Sequence, residues 1–87
     1  MTITERLLNV GRKMEKSPLS EGCRVFFRMA AMTTRMAGEE YNDSEVWFTI
    51  SAYAGDWADR AEAIGCIEIS TALYSLRDHA DCKLATC

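Results

Sequence analysis

The chain holds a single histidine, and it has no glycine-rich phosphate loop, no pair of Cys-x-x-Cys motifs and no His-Glu-x-x-His. Those gaps make hydrolytic metal sites and nucleophile triads hard to build, because each needs several converging ligands or a base with its orienting partner. Its longest uncharged apolar runs fall well short of the roughly 18 residues that a membrane span requires. The opening residues Met1-Thr2-Ile3-Thr4-Glu5 carry no basic segment followed by an apolar one, so no secretory signal is read and a cytoplasmic location is expected. Four cysteines stand at 23, 66, 82 and 87. With no secretion signal and with helical segments around them, they read as reduced thiols: Cys23 and Cys66 on apolar stripes, Cys82 and Cys87 in a short polar tail. Cys87 is the last residue, whereas a prenylation box places its cysteine fourth from the end.

What is present is ordinary globular material. Of 87 residues, 48% are hydrophobic and 26% charged, which is the balance of a folding chain and allows one small domain. At this size a single core only just offsets the conformational entropy of folding, so a partner is a natural source of further burial.

The periodicity is helical throughout. Thr2 and Glu5 have the spacing of a capping box, in which the Thr2 hydroxyl accepts from the Glu5 amide and the Glu5 carboxylate reaches back to the cap. Ile3, Leu7, Val10 and Met14 then share a face widened by Leu8, and Ser17-Pro18 ends the helix, giving a first helix over about residues 3–15. Pro18, with Ser17 as its cap, opens a second over 18–37. One stripe of it is Leu19, Cys23, Phe26, Ala30 and Ala37, and a second is Val25, Met29, Met32 and Met36, with Gly38 as the C-cap. Residues 38–44 supply a loop and fresh caps. Trp47, Ile50, Ala54, Trp57, Ala61 and Ile64 step by three and four towards Gly65 and predict a third helix over 44–64. Val46 to Tyr53 also alternates and is rich in β-branched and aromatic residues, so a strand competes there; the longer helical pattern outweighs it. Ile69, Leu73, Leu76 and Ala80 define a fourth helix over 67–81, with the tail after Cys82 expected to fray. Short links between such helices predict an all-α fold, a small bundle of about four helices in one domain over 1–87.

Charge is unevenly placed within the net −3. Residues 1–38 carry seven basic and three acidic side chains, residues 39–62 one and seven, and residues 63–87 two and three. Arg24, Arg28 and Arg35 lie on one face of the second helix, and Asp56, Asp59 and Glu62 form an acidic row on the third. The plainer reading makes both rows solvated faces that attract one another within the monomer or across a dimer. The functional reading makes either one a docking surface that steers a charged partner. Three arginines on an acidic domain are a weak signature for nucleic acid, although a DNA-binding regulator using them is the second hypothesis. The acidic row suits a basic groove on a protein.

His79 and Cys82 have a His-x-x-Cys spacing to which Asp78, Asp81 and Cys66 or Cys87 add donors, but a closed structural zinc site needs four well-placed ligands, and neither metal nor cofactor is expected. Glu39 and Glu40 sit in a polar loop where nothing raises a carboxyl pKa for acid-base work. Trp47, Trp57, Phe26 and Phe27 read first as core, yet a small bundle has trouble burying all of them with five methionines. The surplus points to a homodimer or a complex, where aromatics and Met are enriched. The expected partner-binding residues are the exposed members of Trp47, Tyr53 and Trp57, with Asp56, Asp59 and Glu62 around them.

In size, acidity, helical character and lack of catalytic motifs, the chain resembles the small early proteins of temperate phages that disable bacterial machinery by binding it, among them the anti-CRISPR proteins and the inhibitors of twitching pili. The resemblance is one of general character over the whole chain and carries no functional residue across. It implies a non-enzymatic inhibitor or adaptor in the bacterial host cytoplasm that blocks a larger protein, such as a CRISPR effector or a pilus ATPase.

Overall fold

A computed structural model of the chain describes residues 2–35 and 44–86. The fold is all-α: among the described residues are four α-helices, α1 Ile3–Glu15, α2 Cys23–Thr34, α3 Ser44–Ala63 and α4 Ile67–Thr86, and a single 3-10 turn at Ser20–Gly22. The chain divides into two compact units, Met1–Glu40 and Tyr41–Cys87. None of its described helices is long and apolar enough to cross a membrane.

The first unit is a helical hairpin. Thr2 caps α1, its Oγ1 accepting from the Glu5 amide at 3.2 Å; the hydroxyl in turn donates to the Glu5 carboxylate, which therefore holds the cap side chain. Leu7, Val10, Gly11 and Met14 are buried at the spacing of one helical face. Ser17 then closes the helix, donating to the Met14 carbonyl at 2.7 Å and accepting from the Leu19 amide at 3.0 Å. The second helix starts later than Pro18. Ser17 is not its cap: the chain after it tightens into the 3-10 turn, with the Gly22 amide on the Leu19 carbonyl, and α2 is preceded directly by Gly22, while Leu19 and Gly22 are buried. Ser20 and Gly22 are poor helix formers, which favours the tighter turn over an early α-helix.

The buried face of α2 is Phe26, Met29 and Ala30, drawn from both predicted stripes, with Thr33, which belonged to neither, whereas Cys23 is only half-buried. Thr33 is a buried polar residue with full satisfaction. Its single hydroxyl hydrogen goes to the Ala30 carbonyl at 2.9 Å, so in the 2.7 Å contact with Thr4 it is Thr4 that donates. That pair ties the start of α1 to the end of α2 and makes the hairpin antiparallel. Midway, a Cβ placed on Gly11 would meet the Phe27 ring at 2.7 Å, so a glycine is required for the aromatic ring to lie on α1. Residues 36–38, including the expected Gly38 cap, lie outside the described residues.

The second unit is also an antiparallel hairpin. Residues 46–53 are helical, which settles the choice between helix and strand. Val46, Trp47, Ile50, Ala54, Ala58 and Ala61 are buried. Ala58 takes a place that the spacing had assigned to its neighbour Trp57, and Ile64, expected at the end of the seam, leaves 54% of its surface exposed. The reason is size: Ala54, Ala58 and Ala61, all at 0% exposure, keep α3 slim where it is covered, and the bulky indole at 57 is left at the flank. In α4 the expected face is the buried one: Ile69, Leu73, Leu76 and Ala80, joined by Ser70, whose hydroxyl donates to the Ile67 carbonyl at 2.9 Å. The tail after Cys82 is helical through Thr86 rather than frayed, because Lys83, Leu84 and Ala85 are good helix formers with no breaker among them. Cys87 lies outside the described residues.

The turn between these helices is a Schellman motif. Gly65 has φ +81°, the Cys66 amide reaches back to the Ala61 carbonyl at 2.8 Å, and the Gly65 amide bonds the Glu62 carbonyl at 3.1 Å. No atom lies within 4 Å of a Cβ built at Gly65, so a substitution there meets a backbone cost alone. Gly65→Ala should therefore lower the unfolding free energy by about 1 kcal/mol, and Gly65→Asn, which tolerates the left-handed region, by less. Urea unfolding followed by circular dichroism measures both; an alanine variant as stable as the parent would contradict the assigned turn.

Candidate binding surface

The expected partner-binding residues Trp47, Tyr53, Asp56, Trp57, Asp59 and Glu62 all fall on α3, but they do not form one patch. Trp47 is inside, 5% exposed, with its ring edge-on to His79 at a centroid distance of 5.6 Å. That leaves Tyr53, 45% exposed, and the half-buried Trp57 as the aromatic part of the surface. Asp56 pairs with Arg60 at 3.3 Å, and the Arg60 guanidinium lies 4.5 Å above the Trp57 ring. An exposed i,i+4 ion pair adds little stability, so its consequence is chiefly one of orientation: it holds the guanidinium where the indole face also attracts it.

Asp59 and Glu62 belong to a different face. Both accept from the hydroxyl of Tyr74 on α4, at 2.7 and 2.9 Å respectively. A phenol has one hydrogen, so the two carboxylates share it. Steps of three residues fall about 60° short of a full turn, and from Asp56 to Glu62 the acidic row slides round the helix. Asp56 is thereby carried to the Tyr53–Arg60 stripe, and Glu62 to the side that meets α4.

That second face continues along the hairpin. Arg77 lays its guanidinium 4.7 Å over the Tyr74 ring and bonds Asp78 at 3.3 Å. Its stem crosses α3 at Gly55, where an added Cβ would stand 3.3 Å from Arg77 Cδ, which explains a glycine inside a helix. One turn further, Ser51 donates to Asp81. These cross-helix pairs were not read from the sequence. Phe48 was also missed, although an apolar residue on the side of the helix away from Ile50 is a detectable signal.

Arg24, Arg28 and Arg35 are exposed on and just beyond α2 in the other unit. Among the described residues, no three of His, Cys, Asp and Glu converge as a metal site would need. The chain matches no protein-family model, no curated protein and no solved structure.

The phenol of Tyr74 is held well above its ordinary value near 10, first by the hydrogen bond to Asp59 and then by that to Glu62, since ionisation would set a phenolate against two carboxylates. The hydrogen-bonded form is fully present below the ordinary value and is lost as pH rises through the raised one. In an alkaline titration followed by near-ultraviolet absorbance, Tyr74 should ionise after a free tyrosine, and Tyr74→Phe should remove that late step. A parent protein whose phenols all titrate near the ordinary value would refute the shared hydrogen bond.

Proposed function

We propose that the chain is a non-enzymatic protein-binding module, an inhibitor or adaptor that occupies a surface of a larger bacterial protein, of the kind exemplified by CRISPR effectors and pilus ATPases. The observation that carries this reading is the stripe of Tyr53, Trp57 and Arg60 on α3, with Arg60 already fixed by Asp56 and stacked on the indole. Tyr, Trp and Arg are the residue types that dominate interface energetics, and a guanidinium held in place before binding loses less freedom on docking. Asp56 beside the stripe is exposed and suits a basic partner, and the exposed Asp59 and Glu62 carry the same charge on the adjoining face towards α4.

A second reading, a DNA-binding regulator, draws on Arg24 and Arg28, exposed one turn apart on α2. Its mark is steeply salt-dependent binding to duplex DNA.

The test is affinity capture with the tagged protein from bacterial lysate at moderate salt, with nuclease added and retained proteins identified by mass spectrometry. One stoichiometric host protein is expected, with affinity reduced about tenfold or more by Tyr53→Ala and by Asp56→Lys. Both positions are exposed, and circular dichroism should show the variants fully helical. Capture that ignores both substitutions would remove this stripe from the interface. Capture of no protein, with salt-dependent binding of duplex DNA in a separate titration, would favour the regulator.

A further inference from the structure

The edge of the α3–α4 hairpin that carries the cross-helix pairs ends in an apolar groove lined by Ser44, Glu45, Phe48, Thr49 and Leu84. Phe48 leaves 65% of its surface to solvent there. In a chain this small, an aromatic ring kept outside forfeits burial that the fold would otherwise use. The groove is continuous with the polar edge, since Phe48 stands one turn before Ser51 and Leu84 one turn after Asp81, the two residues that bond across the hairpin. Beyond them lie Arg77 with Asp78, and then Asp59 and Glu62 on Tyr74. Among the described residues, the edge thus sets four carboxylates, Asp81, Asp78, Asp59 and Glu62, against the guanidinium of Arg77. From Phe48 to Glu62 it runs along α3 for about 21 Å at 1.5 Å per residue.

We propose that this edge seats a basic segment of a partner protein, with an apolar side chain of that segment in the Phe48–Leu84 groove and its Lys or Arg side chains over Asp81, Asp78, Asp59 and Glu62. The proposal rests on the protein-binding reading and adds the partner's chemistry. Charge complementarity selects the occupant: the same excess of carboxylates that attracts a lysine-rich segment repels the phosphates of a nucleic acid. The apolar groove adds what charge alone lacks, a fixed register, because only one position of the segment brings its apolar residue to Phe48.

The test uses the full chain and a fluorescent synthetic peptide with phenylalanine near one end followed by alternating lysine and serine, together with its reversed sequence, read by anisotropy at low ionic strength. One of the two orders should bind, and the same peptide with glutamate for lysine should not. Phe48→Ser and Asp78→Lys should each weaken binding about tenfold. Both substituted positions are exposed, so the fold is retained, and Asp78→Lys decides the matter if the Phe48 variant is unstable. Binding of neither peptide, or binding indifferent to both substitutions, overturns the proposal. A dimer in light scattering that Phe48→Ser dissolves would give the groove to a second copy of the chain and overturn it too. The peptide assay needs no host protein. A captured host protein that is lost on Tyr53→Ala but kept by both Phe48→Ser and Asp78→Lys would leave the protein-binding reading standing and sink this edge alone.

Discussion

The second hairpin hangs on the left-handed backbone of Gly65. Its Schellman turn caps α3 and reverses the chain within three residues, and that reversal sets which residue of α4 stands beside which residue of α3. Ser51 with Asp81, Gly55 with Arg77, and Asp59 and Glu62 with Tyr74 are successive consequences of one register, each a turn or so beyond the last. A slip of one residue in the turn would rotate α4 by about 100° against α3 and dissolve all of them together. The surface is therefore a property of the turn as much as of the side chains on it.

Within that frame α3 has to serve two purposes, and its residue sizes divide the labour. Its first turns bury Val46, Trp47 and Ile50, but from there three alanines at 54, 58 and 61 make its buried side narrow, so that Tyr53 and Trp57 fall at its flank. Tyr53, Trp57 and Arg60 occupy one flank, and Phe48 begins the other. An α-helix with its bulk inward would be the more economical core element; this one gives up aromatic burial and keeps aromatic surface instead. In α2 the distribution is the opposite, with Phe26 fully buried and Phe27 half-covered against the glycine at position 11.

How much of this was legible depended on whether the signal was local. The Thr2 cap, the stop at Ser17-Pro18 and the glycine after α3 are written in adjacent residues, and the helices begin or end within a few residues of where those signals lie. The buried face of α4 was legible because Ile69, Leu76 and Ala80 stand between polar neighbours, Glu68 and Ser70, Ser75 and Arg77, His79 and Asp81, and Leu73 completes their spacing. Trp57 and Ala58 did compete, both within the arc that faces inward, and hydrophobicity favoured the residue that packing set aside. The start of α2 was displaced by a 3-10 turn that local propensity permits but does not demand, and the end of α4 was extended by helix formers that carry no apolar stripe. The acidic row was visible as composition; its division between two faces required the pitch of the helix and the position of Tyr74, and the second of these is a tertiary fact.

Charge and apolar contact contribute to such a surface in different ways. An exposed carboxylate facing a partner's lysine is worth about 0.2–1 kcal/mol and is screened by salt over roughly 8 Å at physiological ionic strength. Burying one phenylalanine side chain is worth about 1.5–3 kcal/mol and is indifferent to salt. Four carboxylates along an edge are thus well suited to accelerate encounter and to reject acidic partners, but they hold a complex weakly. The aromatic residues, Phe48 on one side and Tyr53 with Trp57 on the other, have the magnitude needed to set its lifetime. Asp59 and Glu62 also spend part of their hydrogen-bonding capacity on Tyr74, which fixes where their charge is presented and spares some of the side-chain entropy that free glutamates and aspartates lose on docking. On the binding reading proposed above, a surface built this way would select a basic partner through its charges and hold it only where an apolar side chain of that partner reached one of the rings.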